Sequence, residues 1–174
     1  DDDDSINNRA ASVTYNSTSN LSLAFNRLGY SATYYVVTDP GINGPTETYL
    51  RRFNTVIWLT GQCVPGTPNP LTNQDETNLK GFLSSGDDRG LWLIGQDMFP
   101  SGNYVAGSFV YDYLHISQIT RGMGMPNPLV GVKDDDVGHG INYSINRTFN
   151  PATGGSILTP RADAQRVTYA NISN

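Results

Sequence analysis

A chain of 174 residues is long enough to bury the core of one domain. Its net charge is −5 with only two lysines, Lys80 and Lys133, which argues against nucleic acid or an anionic membrane as partner, because both require a basic patch. No apolar run approaches the roughly 18 residues of a membrane-spanning helix, so no membrane insertion is expected. The weakly charged, polar composition, with 16% charged residues, is common in extracellular proteins. Composition therefore favours a secreted or cell-surface location.

Helices and strands alternate in the prediction for the first 115 residues. Apolar residues at helical spacing predict a helix that ends at Gly29, and the aromatic and β-branched content of residues 31–37 predicts a strand. Two continuous apolar runs bounded by glycine, at 55–61 and 90–95, are typical of strands buried on both faces. Further helices are predicted at 46–53, at 72–86, where Thr72 and Asp75 resemble a capping box, and at 104–114, with Val105, Phe109 and Val110 turned inward.

Strand and helix at this spacing predict right-handed βαβ units in a three-layer α/β sandwich with a mainly parallel sheet. The first strand is expected to be missing, because Asp1 to Asp4 look like the acidic end of a strand without its apolar part. Residues 117–174 read as short strands and turns, an irregular part of the same single domain, 1–174. We therefore expect a piece of a longer protein, with an open slot in the sheet that a strand from another chain can fill.

Several of these motifs occur together in a known group of domains. They are an acidic first turn, a helix ending Leu-Gly-Tyr, strands reading VIWLTG and LWLIGQD, and the helix T-x-x-D-x-x-x-L-x-x-F-L-x-x-G. Over residues 1–115 the chain resembles the flavodoxin-like, class I glutamine-amidotransferase-like domains of large secreted or surface proteins of bacteria and archaea. The resemblance implies a flavodoxin-like sheet. Ligands of such sheets bind at the carboxyl ends of the strands, where Gln62, Gln96 and Asp97 stand here.

The same resemblance bears on catalysis. Catalytic amidotransferases of this fold use the cysteine of a Gly-x-Cys-x-Gly turn, whereas the matching segment here reads Gly95-Gln96-Asp97-Met98-Phe99. The His-x-Glu partner motif is absent as well. Since nucleophile and base both depart from the pattern, we expect a non-catalytic extracellular interaction or structural module. Its partners would be other domains or chains of a surface protein, including copies of this chain through strand exchange.

The first alternative is a hydrolase in which Asp97, or with less support Cys63, is the nucleophile and His139 is the base. The more ordinary interpretation of Asp97 is that it accepts hydrogen bonds from the N-terminus of the next helix. Cys63 is the only cysteine, so it forms no intrachain disulfide, and a lone cysteine is more often a small buried apolar residue. The hydrolase is therefore the weaker hypothesis.

The second alternative is a calcium-stabilised surface module. Carboxylates in a glycine-rich loop can supply the oxygens that calcium binds. Such carboxylates occur in two acidic clusters: Asp1, Asp2, Asp3 and Asp4, with Asp97 expected beside them, and Asp134, Asp135 and Asp136. A solvated acidic loop is the more ordinary interpretation of such charge runs, so no cofactor is expected. If a metal is bound, calcium is the candidate.

Two further sets of residues bear on location and binding. N-glycosylation sequons, which favour secretion but leave glycosylation itself open, begin at Asn16, Asn20, Asn142, Asn146 and Asn171. Trp58 and Trp92 lie in predicted strands and are expected in the core. Tyr30, Tyr34 and Tyr35 can line a sugar site, although half-buried aromatic residues of a strand need no such explanation.

Overall fold

The computed structural model divides the chain into two compact units, Asp1–Phe99 and Pro100–Asn174. Among the residues that the structure describes, the first unit has a two-stranded parallel sheet and the second has two three-stranded antiparallel sheets, so the predicted α/β character is confirmed. No helix among the described residues is long and apolar enough to span a membrane. The structure describes residues 17–37, 41–62, 71–96, 98–123, 129–134, 139–140, 142–143, 155–164 and 168–170. The single domain predicted for residues 1–174 stays a prediction.

The parallel sheet of the first unit confirms the two strands predicted from apolar runs. Thr55 pairs with Gly90 and Leu59 with Ile94, and a bulge follows Leu59. The predicted helix before Gly29 is confirmed too, and Gly29 ends it in the left-handed region at φ 77°. The elements of this unit are α1 Ser17–Leu28, α2 Glu47–Leu50, β1 Thr55–Gln62, α3 Asn73–Leu83 and β2 Gly90–Gln96.

The capping box predicted at the start of α3 is confirmed by both of its hydrogen bonds. The Asp75 backbone N–H donates to the Thr72 hydroxyl at 3.1 Å, and the Thr72 backbone N–H donates to the Asp75 carboxylate at 2.9 Å. The helix then places Leu79 and Phe82, both fully buried, in the core of the unit. It ends at a Ser84 cap, before the predicted end at Gly86.

Three predictions for this unit are wrong in part or in full. Residues 31–37 form no strand, and the helix predicted at 46–53 is limited to α2. Trp58 is buried as expected, but Trp92 is 57% exposed. In the register of the sheet Trp58 pairs with Leu93, and because successive side chains point to opposite faces, Trp92 lies on the other face. An apolar run alone cannot distinguish these two faces.

The second unit confirms the prediction of short strands and turns. Its sheets have the strand orders β3-β4-β7 and β6-β5-β8, with all pairs antiparallel. The elements are β3 Gly102–Asn103, α4 Phe109–Asp112, β4 Ile116–Met123, β5 Leu129–Gly131, β6 Asn142–Tyr143, β7 Gly155–Pro160 and β8 Thr168–Ala170.

The helix predicted at 104–114 is wrong in its first half, because α4 begins only after Ser108. Gly107 has a φ of 97°, which a helix cannot accommodate, and the Ser108 side chain then caps the helix by accepting from the Tyr111 backbone N–H. Val105 therefore lies outside the helix and is 69% exposed. Phe109, which is predicted to point inward, is fully buried.

Candidate interaction groove

A cavity of about 590 Å³ lies in the first unit, and we call it the β1 groove. It is lined by residues 55–59 of β1, by residues 30–35 together with Val37, and by parts of α1 and α2. All of its lining residues are uncharged, and seven of them are aromatic: Phe25, Tyr30, Tyr34, Tyr35, Tyr49, Phe53 and Trp58. An uncharged, aromatic-rich concavity of this size is typical of binding sites.

The groove runs along the edge of β1 that faces away from β2. Five consecutive residues, 55–59, contribute to it, although alternate side chains of a strand point to opposite faces of the sheet. No described residue of β2 lines the cavity, which places it at the edge of β1 rather than over a face of the sheet. Among the residues that the structure describes, β1 pairs with β2 and with no other strand.

The direction of the β1 backbone groups follows from one hydrogen bond at the start of the sheet. The Gly90 N–H donates to the Asn54 carbonyl at 2.8 Å, so the polar backbone groups of residue 54 face β2. These groups alternate between the two edges of a parallel strand, and those of Val56 and Trp58 therefore also face β2. The backbone N–H and C=O groups of Thr55, Ile57 and Leu59 face the groove.

Aromatic contacts hold one wall of the groove together. The Tyr35 and Tyr49 rings meet edge to face with centroids 5.5 Å apart, and Tyr49 contacts Phe53 at 5.6 Å. The Arg52 guanidinium lies 5.1 Å from the Tyr49 ring centroid. Tyr34 and Tyr35 remain 45% and 41% exposed, so this wall presents large aromatic surface to an occupant.

The loop that leads into α2 forms part of the groove at Pro45, and α3 holds that loop in place. The buried Asp75 carboxylate accepts the Gly44 N–H at 2.7 Å, and the Asn78 side chain donates to the Pro45 carbonyl at 3.2 Å. Gly44 permits a close approach, because a Cβ there would lie 2.5 Å from the Trp58 ring. The N-terminus of α3 therefore positions one side of the groove.

The nucleophiles predicted from sequence, Asp97 and Cys63, lie outside the described residues. The strand ends predicted as a ligand edge do meet, because Gln62 pairs with Gln96 at the carboxyl ends of β1 and β2. Whether the side chains at this edge bind a ligand stays a prediction.

The predicted base, His139, has an exposed side chain that contacts Asp134. Its Nδ1 accepts the Asp134 backbone N–H at 2.8 Å, and the Asp134 carboxylate lies 3.6 Å from the same nitrogen. Asp134 has a φ of 63°, in the left-handed region that aspartate tolerates better than most residues. A neutral His139 in this arrangement carries its proton on Nε2.

The other predicted binding residues are only partly described. Among the residues that the structure covers, no group of three or more His, Cys, Asp or Glu side chains is placed to hold a metal ion. Asp1, Asp2, Asp3, Asp4, Asp135 and Asp136 fall outside that part of the chain, so the calcium hypothesis stays a prediction. Asn20 and Asn142 are exposed, as a glycan acceptor requires, whereas Asn16, Asn146 and Asn171 also lie outside it.

One polar cluster of the second unit was missed by the sequence reasoning. The Asp163 carboxylate lies 3.2 Å from the His115 Nδ1 and 2.9 Å from the Arg161 guanidinium. Arg161 also donates to the Tyr111 carbonyl at 3.1 Å and lies over the Tyr111 ring. Desolvation raises the pKa of Asp163, but a backbone hydrogen bond and the charges of Arg161 and His115 outweigh it, so that pKa lies below its ordinary value.

Comparison of the chain with protein families, with curated proteins and with solved structures finds no match.

Proposed function

We propose that this chain is a non-catalytic interaction module of a secreted or cell-surface protein, and that it binds its partner in the β1 groove. The observation that carries the proposal is the uncharged, aromatic lining of a cavity of about 590 Å³ at the edge of β1. The flavodoxin-like, three-layer arrangement inferred from the sequence motifs belongs to the same proposal. It accounts for two parallel strands, β1 and β2, that are joined through the helix α3.

The chemistry of the lining favours a polypeptide partner. No side chain in the lining carries a charge that could pair with an ionic small molecule. Tyrosine and tryptophan are enriched at the centres of protein interfaces, because they bury large area with few rotatable bonds. Tyr34 and Tyr35 supply such area on the groove wall. The partners are therefore other domains or chains of a surface protein.

A matched pair of variants tests this proposal. Tyr34→Lys places a charge in the groove, whereas Val36→Lys places one on the same segment at a residue that is 60% exposed and does not line the groove. The probes are two apolar peptides, one extended and one helical, titrated into the 174-residue chain and followed by tryptophan fluorescence and calorimetry. We expect at least one peptide to bind, Tyr34→Lys to weaken it at least tenfold, and Val36→Lys to change it less than twofold.

Circular dichroism must show that both variants keep the parent fold. If neither peptide binds at millimolar concentration, or if both variants weaken binding equally, the groove is not the interaction site and the proposal is wrong. Turnover of ester or amide substrates by the parent, lost in His139→Ala, would favour the hydrolase instead.

A further inference from the structure

We infer that the occupant of the β1 groove is an extended strand of a partner polypeptide, which continues the sheet by hydrogen-bonding to the edge of β1 that faces away from β2. Among the described residues no strand pairs with this edge. This inference rests on the proposed function and specifies its ligand class. Three observations on β1, on the bulge after Leu59 and on the opposite wall carry it.

The first observation is the set of backbone groups that face the groove. The N–H and C=O groups of Thr55, Ile57 and Leu59 point into it, in the alternation that a neighbouring strand requires. Burial increases along this edge, from the exposed Thr55 through the half-buried Ile57 to Leu59, which is 7% exposed. An added strand supplies hydrogen-bond partners to these groups in register.

The second observation concerns length. Regular pairing of β1 extends from Thr55 to Leu59, where the bulge interrupts it, and the same five residues line the groove. At about 3.3 Å per residue this edge is about 16 Å long, which matches an occupant of about five residues. Mean strand length in proteins is similar.

The third observation concerns the opposite wall. Residues 31–37 are rich in the aromatic and β-branched residues of a strand but have no strand pairing in the structure. The groove lies between this segment and β1, and it is lined by both. A single strand placed in the groove would therefore have β1 on one side and a segment of strand-like sequence on the other.

The lining also defines the chemistry of the occupant. It includes Leu21 and Phe25 of α1 as well as Tyr49 and Leu50 of α2, so the side chains of an inserted strand meet apolar surface. A charged side chain there would be desolvated without a partner of opposite charge. The structure therefore points to a run of about five uncharged, β-branched apolar residues, as in a strand buried on both faces.

Hydrogen exchange measured by NMR distinguishes this mode of binding from others. The probe is a peptide of five alternating valines and isoleucines with lysines at both ends for solubility. On binding to the 174-residue chain, the amides of Ile57 and Leu59 should exchange at least tenfold more slowly. The amides of Val56 and Trp58, which already face β2, serve as internal controls and should change much less.

Two matched peptides with N-methyl groups on the odd or the even residues keep the side chains and remove alternate backbone donors. We expect at least one of them to bind at least tenfold more weakly than the parent peptide. The inference that the occupant is a strand would be wrong if all three peptides bound with equal affinity. It would also be wrong if the Val56 and Trp58 amides slowed as much as those of Ile57 and Leu59.

The remaining outcomes separate this inference from the proposed function. Preferential binding of the helical peptide would contradict the inference that the occupant is a strand, but the proposed interaction function would stand. If no peptide binds, both the inference and the proposed function are wrong. A concentration-dependent dimer in sedimentation that Tyr34→Lys abolishes would show that a second copy of this chain fills the groove. The inference that a partner's strand fills it would then be wrong.

Discussion

Replacing Asp75 by alanine is expected to lower the free energy of unfolding by about 3–5 kcal/mol. The carboxylate is 1% exposed and accepts the Gly44 N–H at 2.7 Å, the Thr72 N–H at 2.9 Å and the Thr72 hydroxyl at 2.8 Å. Hydrogen bonds to a charged group contribute about 1.5–3 kcal/mol each, and a buried donor left without an acceptor costs about 1–3 kcal/mol. Two of the three bonds come from backbone donors that alanine leaves without an acceptor. At about 1.5–3 kcal/mol each, these two bonds account for the expected loss of about 3–5 kcal/mol.

Urea unfolding at pH 7, followed by circular dichroism, measures the loss. Thr77→Ala is the matched control in the same helix, because it removes an exposed hydroxyl that donates to the Asn73 carbonyl at 2.9 Å, and it should change stability by no more than about 0.5 kcal/mol. Asp75→Asn keeps the side-chain size and one acceptor oxygen, so its loss of unfolding free energy should lie between those of Asp75→Ala and Thr77→Ala. A loss below about 1 kcal/mol in Asp75→Ala would refute the assignment of these bonds to the stability of the unit.

Two further predictions test the fold and the second unit. Trp58→Ala should lower the free energy of unfolding by about 3–5 kcal/mol and Trp92→Ala by about 1 kcal/mol or less, because Trp58 is 6% exposed and Trp92 is 57% exposed. Urea unfolding measures both losses, and equal losses would contradict the prediction. Because the pKa of Asp163 is lowered in the fold, its contribution to stability is present above its unfolded pKa of about 3.9 and is lost as the pH falls through the folded pKa. Asp163→Asn should therefore lower the melting temperature at pH 6 with a difference that narrows toward pH 3, and a constant difference would contradict the interaction with His115 and Arg161.

The elements that sequence predicts well are those with strong local signals. The apolar runs of β1 and β2 are bounded by glycine, and α3 begins with a capping box whose two hydrogen bonds join residues only three apart. The helix at 104–114 fails for a local reason that propensity overlooks, since Gly107 and the Ser108 cap set a later start. The exposure of Trp92 requires the sheet register, which no single strand contains.

The groove could not be predicted from the sequence. Which residues line it depends on contacts between distant parts of the chain, such as the hydrogen bond between Gly44 and Asp75, which are 31 residues apart. The cluster of His115 and Asp163 joins residues 48 apart and has no local pattern at all.

The groove and the stability of the first unit depend on the same contacts. The Thr72–Asp75 capping box orients the carboxylate that holds Gly44, and Gly44 lies so close to the Trp58 ring that no side chain fits between them. Trp58 is at once a buried core residue and part of the groove lining. An occupant of the groove therefore contacts the core directly, and binding that buries more of this apolar surface must also stabilise the unit, because a ligand that binds only the folded state favours folding.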